Sequence, residues 1–180
     1  NVGTFGTEAG STHLAFMSSG TERMRIQTGG QIDYPFQPLA EAFYSAQTQD
    51  GAYGATNRNY VVCKPGGTHV NVGNMYNPST GRFTVPVAGK YLAMVSGSHY
   101  SINISGYHYV YIRKNNTSQK WIYNTIISGA TWTELSGHTV FDCAANDFID
   151  FFNQHDSSTT TNKGGWDINN YSKFTVMKIA

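Results

Sequence analysis

"YNPSTGRFTVPVAGKYLAMVS", residues 76–96, decides the fold class, because four local choices fall in a fixed order within it. Pro78 to Gly81 is turn chemistry. Arg82 to Val87 reads as a strand, and Pro86 breaks its ladder, since proline has no N–H to give. After the Ala88–Gly89 corner, "KYLAMVSGSHY" (90–100) starts the next strand.

Working outward, further short strand candidates recur between turns. "AFYSA" (42–46) precedes a Gly- and Asn-rich loop, "NYVVCK" (59–64) precedes the "KPGGT" turn, and "NVGNMYN" leads into the quoted stretch. "YHYVYIR" (107–113) alternates, with Val110 and Ile112 on one face and Tyr107, Tyr109 and Tyr111 on the other. "KWIYNTII", "TELSGHTVFDC", "DFIDFF" and "SKFTVMKI" follow. That makes roughly ten strands at sandwich-like spacing. Composition agrees: 14% aromatic residues, 19 glycines and only 13% charged residues favour strands and turns. Only "PLAEAF" (38–43) has room for a turn or two of helix. "NQHDSSTTTNKGGWDINNY" (153–171) reads as a long polar surface loop.

The first 40 residues differ in texture. Glycines 3, 6, 10, 20, 29 and 30 surround "STHLAFMSSGTERMRI" (11–26), two alternating runs joined at Ser18–Thr21. Leu14 and Phe16 share a face, as do Met24 and Ile26, with Arg23 and Arg25 opposite. Pro35 and Pro38 then mark a connector, so the chain divides into residues 1–40 and a domain at 41–180. Burying the four apolar side chains would contribute roughly 2 kcal/mol each. Ordering the hairpin costs on the order of 1–2 kcal/mol per residue. A hairpin alone is therefore unstable. The economical partner is copies of itself around an axis, with Leu14, Phe16, Met24 and Ile26 meeting their equivalents.

Several function classes are disfavoured. The twelve basic residues are scattered among eleven acidic ones, for a net charge of +1, which supports neither nucleic-acid binding nor docking on anionic membranes. Runs of 18 or more apolar residues are absent, so membrane insertion is not expected, and neither is a leader, although one could already have been removed. Cys63 and Cys143 read as half-buried free thiols in preference to a single bridge. The histidines at 13, 69, 99, 108, 138 and 155 show no metal-ligand spacing. Nucleophile-elbow, P-loop and dinucleotide-binding signatures are missing. Asp147, Asp150, Asp156 and Asp167 read as turn-capping and solvated residues rather than an acid pair. No catalysis is expected.

The quoted stretch resembles the signature of the C1q-like globular head, a jelly roll shared with the tumour necrosis factor group. Tyr76, Thr80, Gly81, Phe83, Pro86, Gly89 and Tyr91 stand in that family's order, and the likeness extends over residues 42–179. "AAND" (144–147) stands where the family has a glycine-containing turn, and "FTVM" lacks the glycine common in its last strand. The hairpin is similar to segments of bacteriophage tail fibres, where three chains intertwine. Together the resemblances imply an all-β, ten-stranded jelly-roll head behind a β-hairpin shaft, assembled as a homotrimer. They also imply that residues 114–121 and 153–171 lie at the end away from the stalk. Those segments carry Asn115, Asn116, Trp121, Asn162, Lys163, Trp166, Asp167 and Tyr171, where exposed rings beside amides suit carbohydrate or mixed surface recognition. Trp166 plugging its own loop onto the sandwich is an equal alternative. Some heads of the family bind calcium near the apex, and the Asp and Asn oxygens of 153–171 would suit it; no other cofactor is expected.

The implied function is a virion tail-fibre tip that attaches to a host-cell glycan or protein receptor, with other tail proteins meeting its N-terminal end. Alternatives are a secreted C1q-like lectin or signalling ligand, with Asn103, Asn115, Asn116 and Asn170 in N-x-Ser/Thr sequons, and a trimerisation clamp for fibre assembly. A polysaccharide depolymerase is the least favoured.

Overall fold

The computed structural model describes residues 4–6, 13–34, 36–44, 59–155, 165–166 and 171–180, and among them every regular element is a strand. The chain forms two compact units, Asn1–Gln37 and Pro38–Ala180.

The first unit is a four-stranded antiparallel sheet of β1 (Thr4–Gly6), β2 (Leu14–Ser18), β3 (Thr21–Ile26) and β4 (Ile32–Asp33). The β2–β3 turn has only two residues outside the strands, Ser19 (φ 51°) and Gly20 (φ 73°). Positive φ at both is the type I′ geometry whose twist matches the flanking strands. Leu14 pairs with Ile26 and Phe16 with Met24, so the four expected apolar residues share one face. The hairpin is not isolated, which corrects the sequence reading: β1 and β4 flank it, and Ile32 joins the same face opposite Ile26. They widen that face without covering it, since Leu14 is 36% and Ile32 53% exposed. Arg25 pairs with Glu22 at 2.7 Å on the strand that carries the opposite, charged face.

The head comprises β5 (Leu39–Phe43), β6 (Asn59–Val62), β7 (Gly67–Val72), β8 (Tyr76–Asn77), β9 (Arg82–Thr84), β10 (Gly89–Lys114), β11 (Ser118–Cys143), β12 (Phe148–His155), β13 (Gly165–Trp166) and β14 (Lys173–Lys178). "PLAEAF" is in strand β5, not a helical turn, because Ala40 and Ala42 go to the core while Leu39, Glu41 and Phe43 alternate away from it. Expected strands at 90–100 and 107–113 are one 26-residue strand, β10, and those at 120–127 and 133–143 are another, β11. The pair changes neighbours midway: Tyr91–Ser96 of β10 pair with β14, whereas His108–Lys114 pair with β12. The β10–β11 register slips between Ser101 and Ile104, within that change.

This change of partners folds one ladder into two layers. The first runs β7-β5-β14-β10-β11 through the 91–96 half of β10; the second runs β8-β9-β12-β10-β11 through its 108–114 half, with β6 also on β12. Phe151 of β12 meets Phe174 of β14 edge-on at 5.2 Å, although the two strands are not hydrogen-bonded neighbours, so their contact crosses the sandwich. Phe83, Tyr76, Tyr44 and Trp166 extend that aromatic core. The deciding stretch keeps the expected order, with a shorter strand: Gly81 N–H donates to Asn77 O across the turn, Phe83, Val85 and Tyr91 are fully buried, and β9 stops at Thr84 instead of running to Val87. At 144–147, Asn146 takes the positive φ (70°) that a glycine would supply, and Asp147 caps the turn by accepting from Ala144 N at 2.9 Å. Cys63 and Cys143 form no disulfide, and both are buried rather than half-buried.

Candidate functional site

Strand direction decides which expected site residues can act together. Lys90 N–H donates to Ala180 O, Lys178 N–H to Pro38 O, and Lys114 Nζ to Asp142 O, so the 115–117 turn lies at the end of the head where Pro38 and Ala180 lie. Asn115 and Asn116, at φ 51° and 61°, form that turn. Asn115 is committed to structure: its Nδ2 donates to Asp147 Oδ1 at 2.7 Å and its Oδ1 accepts from Phe148 N at 2.9 Å. β12 ends with His155 opposite His108, at its other end, and Trp166 pairs with His99. The expected grouping of 114–121 with 153–171 at one far end is therefore corrected for the described residues: the 115–117 turn lies at the opposite end from His155 and Trp166. β10 turns back on itself, and its two ends return to the same side.

Trp166 is corrected as well. It is 1% exposed and packs on Phe174 at 5.0 Å and edge-on to His99 at 5.5 Å, so its ring fills the core instead of facing a ligand. Asn162, Lys163 and Asp167 lie outside the described residues, as do Asp156 and Asn170. Trp121 (66% exposed) and Tyr171 (69% exposed) are displayed on the surface.

These two rings flank adjoining clefts that share Ser136. The larger, of 670 Å³, has Trp121 at its rim with Glu41, His138, Lys173 and Thr175 among its lining. Glu41 is the hub of that lining: it accepts from Thr175 Oγ1 at 3.0 Å, meets His69 Nδ1 at 2.9 Å and has Lys173 Nζ at 4.0 Å. Burial pushes its pKa up, but His69, Thr175 and Lys173 outweigh that and hold the carboxyl below its ordinary value. The smaller cleft, of 390 Å³, lies between Tyr171 and Glu134 with Ser98 and Ser136 between them.

The smaller cleft and most of the larger one belong to the outer face of the first layer, which is graded by rows, while Trp121 and Ile122 reach the larger cleft from the second-layer half of β11. At the Pro38 end, Val72, Leu39, Met177, Leu92 and Val140 lie side by side across five strands, none of them buried. One row on are Val70, Glu41, Thr175, Met94 and His138; then Lys173, Ser96 and Ser136; then Ser98 beside Glu134. The face is thus apolar near the base and polar towards the far end. Sequence reasoning missed Glu41, Lys173, Glu134 and the serines, although period-two alternation through 134–140 would have placed Glu134, Ser136, His138 and Val140 on one side.

On the outer face of the second layer Tyr107, Tyr109 and Tyr111 form the expected ladder, with ring spacings of 5.6 and 6.0 Å, and Trp121 closes it against Tyr109 and Tyr111. Asp150, expected to be solvated, is fully buried. Arg113 grips it through two 2.8 Å hydrogen bonds and lies 4.0 Å over Phe152. A carboxylate held bidentate in this way is not free to act as a general acid or base. No three His, Cys, Asp or Glu side chains converge on a metal position among the described residues.

Between the layers lies a buried polar relay. His108 Nε2–H donates to Asn153 Oδ1 at 2.6 Å, and Asn153 Nδ2–H donates to His99 Nε2 at 3.1 Å, with the imidazoles 4.8 Å apart. Burial, and for His99 the neighbouring His108, pushes both pKa values down, His108 to about 4.

The C1q domain family matches this chain over residues 42–175. Among solved structures, the globular domain of zebrafish complement 1qA protein superposes with a TM-score of 0.59 at 13% identity, covering 80% of this chain and 98% of that one. Eiger TNF from S. frugiperda gives 0.52 at 12% identity, covering 80% and 93%. Murine APRIL gives 0.50 at 11%, covering 79% and 99%. At such identities the likeness to these structures is one of fold. No curated protein matches the chain significantly.

Proposed function

We propose, from the premise that this chain belongs to the C1q domain family, that it is the tip of a trimeric virion tail fibre and attaches to a glycan or protein receptor on the host-cell surface. C1q/TNF-like domains form trimers, bind receptors and are generally non-enzymatic. The observation that carries the reading is the aliphatic row Val72–Leu39–Met177–Leu92–Val140 at the base of the head. Five partly exposed aliphatic side chains in register form a face that water penalises and a second and third copy can cover. The widened apolar face of the first unit, with Leu14, Phe16, Met24, Ile26 and Ile32, asks for the same remedy. Two separate units with one shared deficit favour a fibre end in which shaft and head trimerise together. Three identical sites on one rigid trimer then multiply weak contacts through effective concentration.

The mass in light scattering is expected near three times 19.8 kDa. Leu92→Asp places a charge in the row between Met177 and Val140 and is expected to give single chains of unchanged circular dichroism. A wild type that runs as one chain at high dilution overturns the trimer. Adsorption of the trimer to susceptible cells tests attachment, and indifference to every host surface overturns it. The secreted-ligand reading has one feature in its favour: Asn116, exposed at a turn tip, heads the sequon Asn116-Thr117-Ser118. Intact mass separates the two, because attached glycan would raise it.

A further inference from the structure

We propose that the cleft between Tyr171 and Glu134 is a subsite for one neutral pyranose unit, which deepens the attachment reading above and rests on it. Lys173 pairs with Ser96, so Tyr171, two residues earlier, reaches the row of Ser98, whose partner on β11 is Glu134. The three therefore line one short channel across β14, β10 and β11, with Ser136 beside it. Its 390 Å³ falls within the roughly 300–1,000 Å³ of small-molecule sites.

Tyr171 is exposed, yet it is not free to wander. Ser172, the next residue, is fully buried and donates from Oγ to Ser98 O at 3.2 Å. A Cβ on Gly97 would fall 2.5 Å from Ser172 Oγ and 2.6 Å from its Cα, so the absence of a side chain there lets the Tyr171–Ser172 corner lie directly on β10. A ring displayed from a pinned corner keeps little conformational entropy to lose on binding.

The channel's chemistry selects the ligand. An aromatic face covers the C–H side of a sugar ring, a carboxylate accepts from neighbouring hydroxyls in charge-assisted bonds, and serine hydroxyls can donate or accept. Among the described residues Glu134 has no ion-pair partner, so its oxygens remain open to hydroxyl donors. Charge sets the exclusion. Glu134 is the one charged lining group, and Lys173, one row away on β14, lies 4.0 Å from Glu41. Uronic and sialic acids would bring a second carboxylate against Glu134 and be rejected.

Saturation-transfer NMR on the full chain provides the test, with methyl glucoside, galactoside, mannoside and N-acetylglucosaminide set against methyl glucuronide and N-acetylneuraminic acid. At least one neutral pyranoside is expected to bind saturably, and the acidic pair is not. Tyr171→Ala and Glu134→Gln, both surface changes, should each weaken binding at least tenfold, while Tyr171→Phe keeps it. Failure of every neutral pyranoside, equal binding by the variants, or preference for the acidic sugars overturns the proposal. Wild-type adsorption to cells that survives in Tyr171→Ala also removes this subsite but leaves attachment standing. Absence of wild-type adsorption removes attachment itself, whatever the sugars do.

Discussion

Lowering the pH should loosen the head well before its carboxylates titrate, and the relay of His99, Asn153 and His108 sets the size of the effect. Asn153 favours a neutral His99, whose Nε2 lone pair its Nδ2–H occupies, whereas His108, which donates to Asn153 Oδ1, is kept neutral by burial against the pull of that bond. Protonating His99 there would set donor against donor, 4.8 Å from a second ring that would also be charged. His108 falls from 6.5 to about 4 in the folded state. The unfolded chain therefore holds more protons between those values, so stability is intact above pH 6.5, declines as pH falls, and levels off below about 4. At about 1.36 kcal/mol per pKa unit, His108 alone removes about 3 kcal/mol by pH 4 and about 2 kcal/mol by pH 5. His99, shifted in the same direction, adds to this. Urea unfolding at half-unit intervals from pH 7.5 to 4 measures it. His108→Gln retains an amide donor for Asn153 and should flatten the decline by about 3 kcal/mol at pH 4. A wild-type curve level from pH 7 to 4.5, or a His108→Gln curve parallel to it, would refute the buried neutral pair.

Other perturbations probe the frame around the site. Arg113→Ala strips a fully buried Asp150 of its bidentate partner, and a loss of about 3–5 kcal/mol in urea unfolding is expected. Gly97→Ala drives a Cβ into Ser172 and should cost about 1–3 kcal/mol while displacing the Tyr171 corner, visible as weakened sugar binding along with the lowered thermal midpoint.

The sequence carried the fold wherever a local rule and the tertiary packing agreed. Residues 76–96 combine turn, strand, proline stop and new strand, and each step is local, so the order of elements holds although the strand at Arg82 ends at Thr84. It falters where small residues imitate breaks. "SINISG" at 101–106 reads as a gap between two strands, yet β10 continues through it, as it does through Gly97. At Gly97 the reason is a tertiary one: Ser172 lies on it, and nothing near residue 97 announces a contact so distant in the chain. "PLAEAF" misleads differently. Ala and Glu are helix formers, but two alanines at period two go to the core beside Phe174 and Val176, and packing overrides propensity. Trp166 could be read as either plug or platform from its polar loop, and only the aromatic core around Phe174 decides for the plug.

The misplacement of Asn115 and Asn116 has a geometric cause that reaches beyond this turn. A straight 26-residue strand would extend about 85 Å, whereas a domain the length of this head has a radius of gyration of about 14 Å. β10 therefore has to double back, and so does β11, which returns the 115–117 turn to the end where Gly89 pairs with Cys143. The far end of the head is then built from the middles of the two long strands, with Trp132 opposite Tyr100, and from the segments that meet them there, Trp166 against His99 and Ser172 against Ser98. A hairpin tip, the place where exposed polar residues draw the eye, is here a base element stapled by Asp147. Tyr171 and Glu134 stand on the opposite side of that logic. The first layer's outer face can close on other copies at its aliphatic base while its polar far end stays open to a ligand, and Leu92→Asp and Tyr171→Ala should therefore fail in different assays.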